Sequence, residues 1–76
     1  MFFLEPREEF DVCILGISYY DQCLVYDIDM VFMIYMRLLD LSFEDVEQWF
    51  EYNVMRGLEE SSAPIFISKN IDLNQG

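Results

Sequence analysis

The stretch Ile28 to Leu39, IDMVFMIYMRLL, constrains this chain more than any other. It is apolar almost all the way round a helix, and such a helix has to be buried on several sides. It is too short to cross a membrane. Its longest uncharged part, Met30 to Met36, runs into Arg37, and no segment reaches the ~18 apolar residues that a span requires. Asp27 or Asp29 stands where an N-cap belongs. The pattern therefore predicts a helix from near Ile28 to about Leu39, inside a small domain. Met30, Met33 and Met36 fall three apart on one stripe of it. Adaptable core packing accounts for that stripe. The sharper reading is a homodimer through Met30, Met33 and Met36, because flexible thioethers suit such surfaces.

The flanking segments complete an α+β order. Phe10 to Ile17 (FDVCILGI) is β-rich and apolar on nearly every position from Val12, which fits a central strand with both faces covered. Ser18 to Gln22 has turn character, and Cys23 to Asp27 is β-rich again, so the two runs read as a hairpin. Ser42-Phe43-Glu44-Asp45 resembles a capping box with Asp in place of Glu or Gln. It opens a second, amphipathic helix that runs to about Arg56 or Leu58. Phe43, Val46, Phe50, Val54 and Leu58 recur along its apolar side, with Trp49 beside them. Gly57 either ends that helix in a left-handed cap or lies in its last turn. Pro64 to Ser68 reads as a third strand. The expectation is a β-β-α-α-β domain over residues 10–68: a three-stranded antiparallel sheet with a helical hairpin on one face. Residues 1–9 form a polar lead-in, and residues 69–76 a loose tail.

Composition excludes several function classes. The 76 residues hold 15 Asp and Glu against 4 Lys and Arg, a formal charge of −11, yet 54% of them are apolar. Disorder needs high charge together with low hydrophobicity, so this chain should fold. There is no His, and only 2 Cys and 3 Gly. That removes histidine acid–base chemistry, finger-type zinc sites and glycine-rich phosphate loops. Asp27 and Asp29 lack the Gly and Glu spacing of a twelve-residue calcium loop and are better read as capping groups. Cys13 and Cys23 read as reduced core residues, and neither has a histidine to activate it. No constellation supports an enzyme, and no metal or other cofactor is expected. The excess of acid argues against direct nucleic-acid binding and against anionic membranes. Met1-Phe2-Phe3-Leu4 is brief, has no basic region before it and does not read as a signal peptide, so the expected compartment is the cytoplasm.

The placement of the acids says more. From Glu44 to Glu60 there are six acids (Glu44, Asp45, Glu47, Glu51, Glu59 and Glu60) and one base, Arg56. Carboxylates three or four residues apart on a helix lie ~5–6 Å from one another and make a concentrated negative surface. A solvated helix face explains that surface, and solubility explains the net charge. The alternative is a surface that competes with nucleic acid, itself a repeating array of negative charge, for a protein's basic groove. Tyr19 and Tyr20, at the tip of the expected hairpin, are the best candidates for exposed aromatic contacts.

Several short runs carry a family resemblance: Ile14-Leu15-Gly16-Ile17, Val25-Tyr26-Asp27 before a Met-rich helix, Leu41 to Asn53 (LSFEDVEQWFEYN), and Ala63 to Ile67 (APIFI). Over residues 10–68 the chain resembles a family of short acidic proteins encoded by phages and prophages. It departs from that family in its very apolar first helix and in Gly57. The resemblance implies a viral setting in a bacterial cell and brings no catalytic residues with it. Small acidic phage proteins often block host defence machinery, CRISPR effectors included. Sequence and resemblance together point to a non-enzymatic, anti-CRISPR-like inhibitor of a host nucleic-acid-binding complex. Its expected contacts are Glu44, Glu47, Glu51, Glu59, Glu60, Tyr19 and Tyr20. The alternative is a small homodimeric structural or adaptor protein of a phage, with no mimicry.

Overall fold

A computed structural model describes residues 2–58 and 63–69. The element order is helix α1 (Arg7–Phe10), a 3-10 turn (Asp11–Cys13), strands β1 (Ile14–Ile17) and β2 (Leu24–Asp27), helices α2 (Ile28–Leu39) and α3 (Phe43–Asn53), a second 3-10 turn (Met55–Gly57) and strand β3 (Ile65–Ile67). The α+β class and the β-β-α-α-β succession are as the sequence indicates. The short α1 ahead of β1 is an addition.

Two helix starts follow directly from side-chain chemistry. Asp27 ends β2 and caps α2 with no loop between them: its Oδ1 accepts from the backbone N–H of Asp29 at 3.1 Å and of Met30 at 3.3 Å. Ser42 Oγ accepts from the N–H of Asp45 at 3.3 Å and so opens α3. Each bond satisfies a helix-terminal donor that has no partner within its own helix. Asp27 is only 7% exposed, so water cannot replace it well. Asp27→Ala should cost about 1–2 kcal/mol, and Asp27→Asn less than about 1 kcal/mol, in urea unfolding followed by circular dichroism. Equal losses from the two would show that the cap is not what the carboxylate supplies. The left-handed cap falls at Asp40, with φ 55° and ψ 48°, at the end of α2. Gly57 lies in the 3-10 turn and has no positive φ.

Three expectations about the sheet and the first helix need correction. The sheet is mixed, not wholly antiparallel. Its order is β1-β2-β3, with β1 antiparallel to β2 and β3 parallel to it through Val25↔Ile65, Tyr26↔Phe66 and Asp27↔Ile67. Parallel neighbours need a long crossover, and the two helices within residues 28–64 supply it. Next, β1 is an edge strand and not the central one. The run read as one strand from Phe10 curls at its start: α1 and the 3-10 turn bury Phe10 and Cys13 completely, while the strand proper leaves Leu15 and Ile17 exposed. The central strand is β2, with Leu24 and Tyr26 buried. Finally, α2 is buried less completely than expected: it sends Val31, Phe32 and Tyr35 inward and packs Ile28, Met30, Ile34 and Met36 partly against the core, but leaves Met33, Leu38 and Leu39 exposed.

An almost continuous set of rings holds the layers together. Phe10 on α1 meets Tyr35 on α2 at 4.6 Å between centroids, and Tyr35 meets Phe50 on α3 at 6.1 Å. Phe50 meets Phe66 on β3 at 5.1 Å, and Phe66 stacks on Tyr26 of β2 at 5.7 Å. Phe32 and Trp49 join from the sides. Such pairs add about 0.5–1.5 kcal/mol each beyond their buried area. The segment ahead of Phe10 belongs to this packing. Leu4 is buried and its N–H donates to Tyr26 Oη at 2.9 Å, while Arg7 lies over the Phe3 ring. Arg7 also pairs with Asp11, and Arg37 ties α2 back to Glu9 at 2.6 Å.

Burial shifts three ionisable groups in the same sense. Removal from water pushes the Tyr26 and Tyr35 hydroxyls above the ordinary tyrosine value of 10.0. Burial, reinforced by the Asp27 carboxylate, pushes the Cys13 thiol above 9.0. In each case the folded chain holds its proton where the unfolded chain releases it, so this stability is fully present below the unfolded values and is lost as pH rises from them through the higher folded values. The urea midpoint should hold steady on the approach to about pH 9 and fall above it, as thiol and then phenol protons leave the unfolded chain. A Tyr26→Phe, Tyr35→Phe double variant should show a shallower alkaline fall than the parent. A midpoint that rises with alkaline pH would contradict the assignment.

Candidate partner-binding surface

The exposed side of α3 follows from the same helix geometry that fills the core. Val46 and Phe50 point inward with Trp49 packed beside them, while Glu44, Glu47, Gln48 and Glu51 are exposed on the other side. Glu44, Glu47 and Glu51 occupy positions i, i+3 and i+7 of this exposed side, so they form a single stripe. Glu44 and Asp45 sit in the first turn, where the helix dipole favours negative charge. Arg7 pairs with Asp11 and Arg37 with Glu9, away from this side, while Arg56 lies over the Tyr52 ring at 4.3 Å and near Glu47 and Glu51 without an ion pair to either. Among the described residues, none of the three stripe glutamates has a hydrogen bond or an ion pair. Their charge is directed at solvent.

Two of them also border a depression. An open cleft of ≈ 850 Å³ runs between the start of α2, the outer side of α3 and β3. Phe32, Phe50 and Phe66 contribute apolar surface to it, Glu47, Glu51 and Tyr52 line it from α3, and Arg56 borders it from the following 3-10 turn. The arrangement combines carboxylates with aromatic surface, which suits a cationic side chain carrying an apolar stem. The sequence reading identified the carboxylates but not the cleft. Phe32 and Phe66 lie far apart in the chain, and only the crossover brings them together.

The hairpin tip is where the sequence places it. Ser18 N–H donates to the Cys23 carbonyl at 2.8 Å and Gln22 N–H to that of Ser18 at 2.9 Å, closing the turn. Tyr19 is 82% exposed and Tyr20 91%, with their rings edge to face at 5.1 Å. The fold does not bring this tip to the cleft. The tip precedes β2, whereas the cleft is lined by the start of α2, which follows β2, and by α3 and β3. The methionine stripe is divided as well: Met30 and Met36 pack against the core, and Met33 is 68% exposed. Glu59 and Glu60 lie outside the described residues.

Cys13 and Cys23 are both buried and unpaired. Among the described residues, no three Cys, Asp or Glu side chains are grouped so as to hold a metal ion, and no helix is long and apolar enough to cross a membrane. Comparison with protein-family models, with curated proteins and with solved structures found no match.

Proposed function

We propose that this protein is a non-enzymatic inhibitor, of phage origin, that occupies a basic groove on a bacterial nucleic-acid-binding defence complex in the manner of an anti-CRISPR protein. The reading places it in the cytoplasm of the host cell. The observation that carries it is the exposed stripe of Glu44, Glu47 and Glu51, none of them in an ion pair among the described residues, on a helix whose other side is locked into an aromatic core. A rigid row of carboxylates offers a cationic groove what a phosphate backbone offers, repeated charge at fixed spacing. Rigidity matters because a preorganised surface loses little entropy on docking. The acidic-aromatic cleft beside the stripe would receive lysine or arginine side chains from the groove wall.

Competition is the test. The immobilised protein is exposed to a bacterial lysate, washed, and then challenged with excess nucleic acid. The reading predicts that a nucleic-acid-binding complex is retained and that the added nucleic acid releases it. Retention of proteins that nucleic acid cannot displace would contradict groove competition.

A further inference from the structure

We infer that the cleft beside α3 is an arginine-binding site, in which the chain's own Arg56 stands where an arginine side chain of a protein partner docks. The inference rests on the acidic-surface reading for a cationic partner. It adds which side chain that partner presents and which residue here regulates its entry. Three acids, Asp29, Glu47 and Glu51, line the cleft against one base, Arg56. Asp29 is already held by the Ser68 hydroxyl at 2.8 Å. Glu47 and Glu51 are exposed, and neither forms an ion pair among the described residues although Arg56 borders the same cleft. Register explains this. Arg56 follows Tyr52 by one helical step of four residues and lies over its ring at 4.3 Å. It follows Glu51 by five, and by then the chain has passed from α3 into the 3-10 turn.

The walls of the cleft select the ligand. Phe43, Tyr52 and Met55 are exposed there, and Phe32 meets Phe43 edge to face at 5.6 Å. A guanidinium is planar and weakly hydrated, stacks on ring faces and carries a fork of donors, whereas the lysine ammonium is a compact, strongly hydrated point charge. Arg56 on Tyr52 shows that this ring face accepts a guanidinium. Glu47 and Glu51, one turn apart on α3, place their carboxylates on stems ~5–6 Å apart beside it. An arginine arriving from outside takes the ring and these carboxylates together, while Arg56, tethered to the turn, takes the ring alone. At ≈ 850 Å³ the open cleft is within the range of small-ligand sites, about 300–1,000 Å³, and admits a second side chain once Arg56 swings out.

The test is calorimetric titration of the full chain with hexaarginine and with hexalysine, two peptides of equal charge, at about 0.1 M salt. Wild type should prefer hexaarginine by about two- to fivefold, the value of one exposed cation–π contact. Tyr52→Leu, at an exposed position, should erase that preference. Arg56→Ala should widen it at least about twofold, because the ring is vacated. Glu47→Gln should weaken hexaarginine by about threefold, and Glu8→Gln, an equal loss of charge on α1 outside the cleft, by clearly less. Circular dichroism confirms that each variant is folded. Equal affinity for the two peptides, a preference that survives Tyr52→Leu, a preference unchanged or narrowed by Arg56→Ala, or equal weakening by Glu8→Gln and Glu47→Gln would each overturn the inference. Free peptides keep its failure distinct from that of the inhibitor reading. Arginine preference with no complex captured from a lysate upholds the site and removes the inhibitor; a captured complex with no arginine preference does the reverse.

Discussion

Phe50→Ala should destabilise the domain by about 3–5 kcal/mol, enough to unfold much of it at room temperature. Phe50 is 4% exposed and is the point where three layers meet, touching the rings of Phe32 and Tyr35 on α2 and of Phe66 on β3. Truncation removes the transfer energy of one large ring, leaves a cavity and breaks three aromatic pairs. A domain of this length has a total stability of about 4–11 kcal/mol, so the loss amounts to between a quarter and all of it. Urea unfolding followed by circular dichroism measures the effect. Tyr20→Ala is the contrasting substitution. Its side chain is 91% exposed at the hairpin tip, and the change should stay within about 0.5 kcal/mol. A Phe50→Ala variant as stable as Tyr20→Ala would mean that the ring network does not hold the layers together.

Reversing charge at Glu47 and Glu51 should reduce affinity for the captured complex at least about a hundredfold while leaving the fold intact. Close charge pairs across protein interfaces have coupling energies from about 1.5 kcal/mol upward, and each 1.4 kcal/mol is a factor of ten. Two lost pairs therefore amount to about 3 kcal/mol before any repulsion from the introduced lysines is counted. Both residues are exposed, and neither has a partner within the described residues, so Glu47→Lys with Glu51→Lys removes no internal contact. The helix cap at Ser42 and the buried Val46 and Phe50 remain. Surface plasmon resonance against the purified complex reads the affinity, and a thermal melt confirms folding. Unchanged affinity would remove the electrostatic mechanism.

Local chemistry was legible in the sequence wherever one side chain decides the outcome. The bounds of α2 follow from the Asp27 cap and from the apolar run that ends before Asp40. The start of α3 follows from Ser42, and the hairpin turn from Ser18 to Gln22. What the sequence did not reveal depends on placement across the chain. An apolar run such as Phe10 to Ile17 can be buried by pairing on both sides or by curling its first residues into the core; here Phe10 and Cys13 take the second route and leave β1 at the edge. Strand direction was likewise hidden, because the Ile65–Ile67 pattern is the same read either way and only the crossover decides it. The acidic stripe was visible from helix spacing alone, whereas its aromatic cleft depends on Phe66 arriving from β3. The exposed edge did leave a mark, the uncharged run Val12–Tyr20, but lack of charge alone does not separate an interior strand from a bare one.

The most direct test of the acidic-surface mechanism is capture from a bacterial lysate at two salt concentrations, about 0.1 M, where exposed charges interact over ~10 Å, and about 0.5 M, where that range is several ångströms shorter. Docking of Glu44, Glu47 and Glu51 on a basic groove predicts a nucleic-acid-binding complex retained at the lower salt and lost at the higher. Equal retention at both concentrations, or capture of nothing except the protein itself, would contradict it.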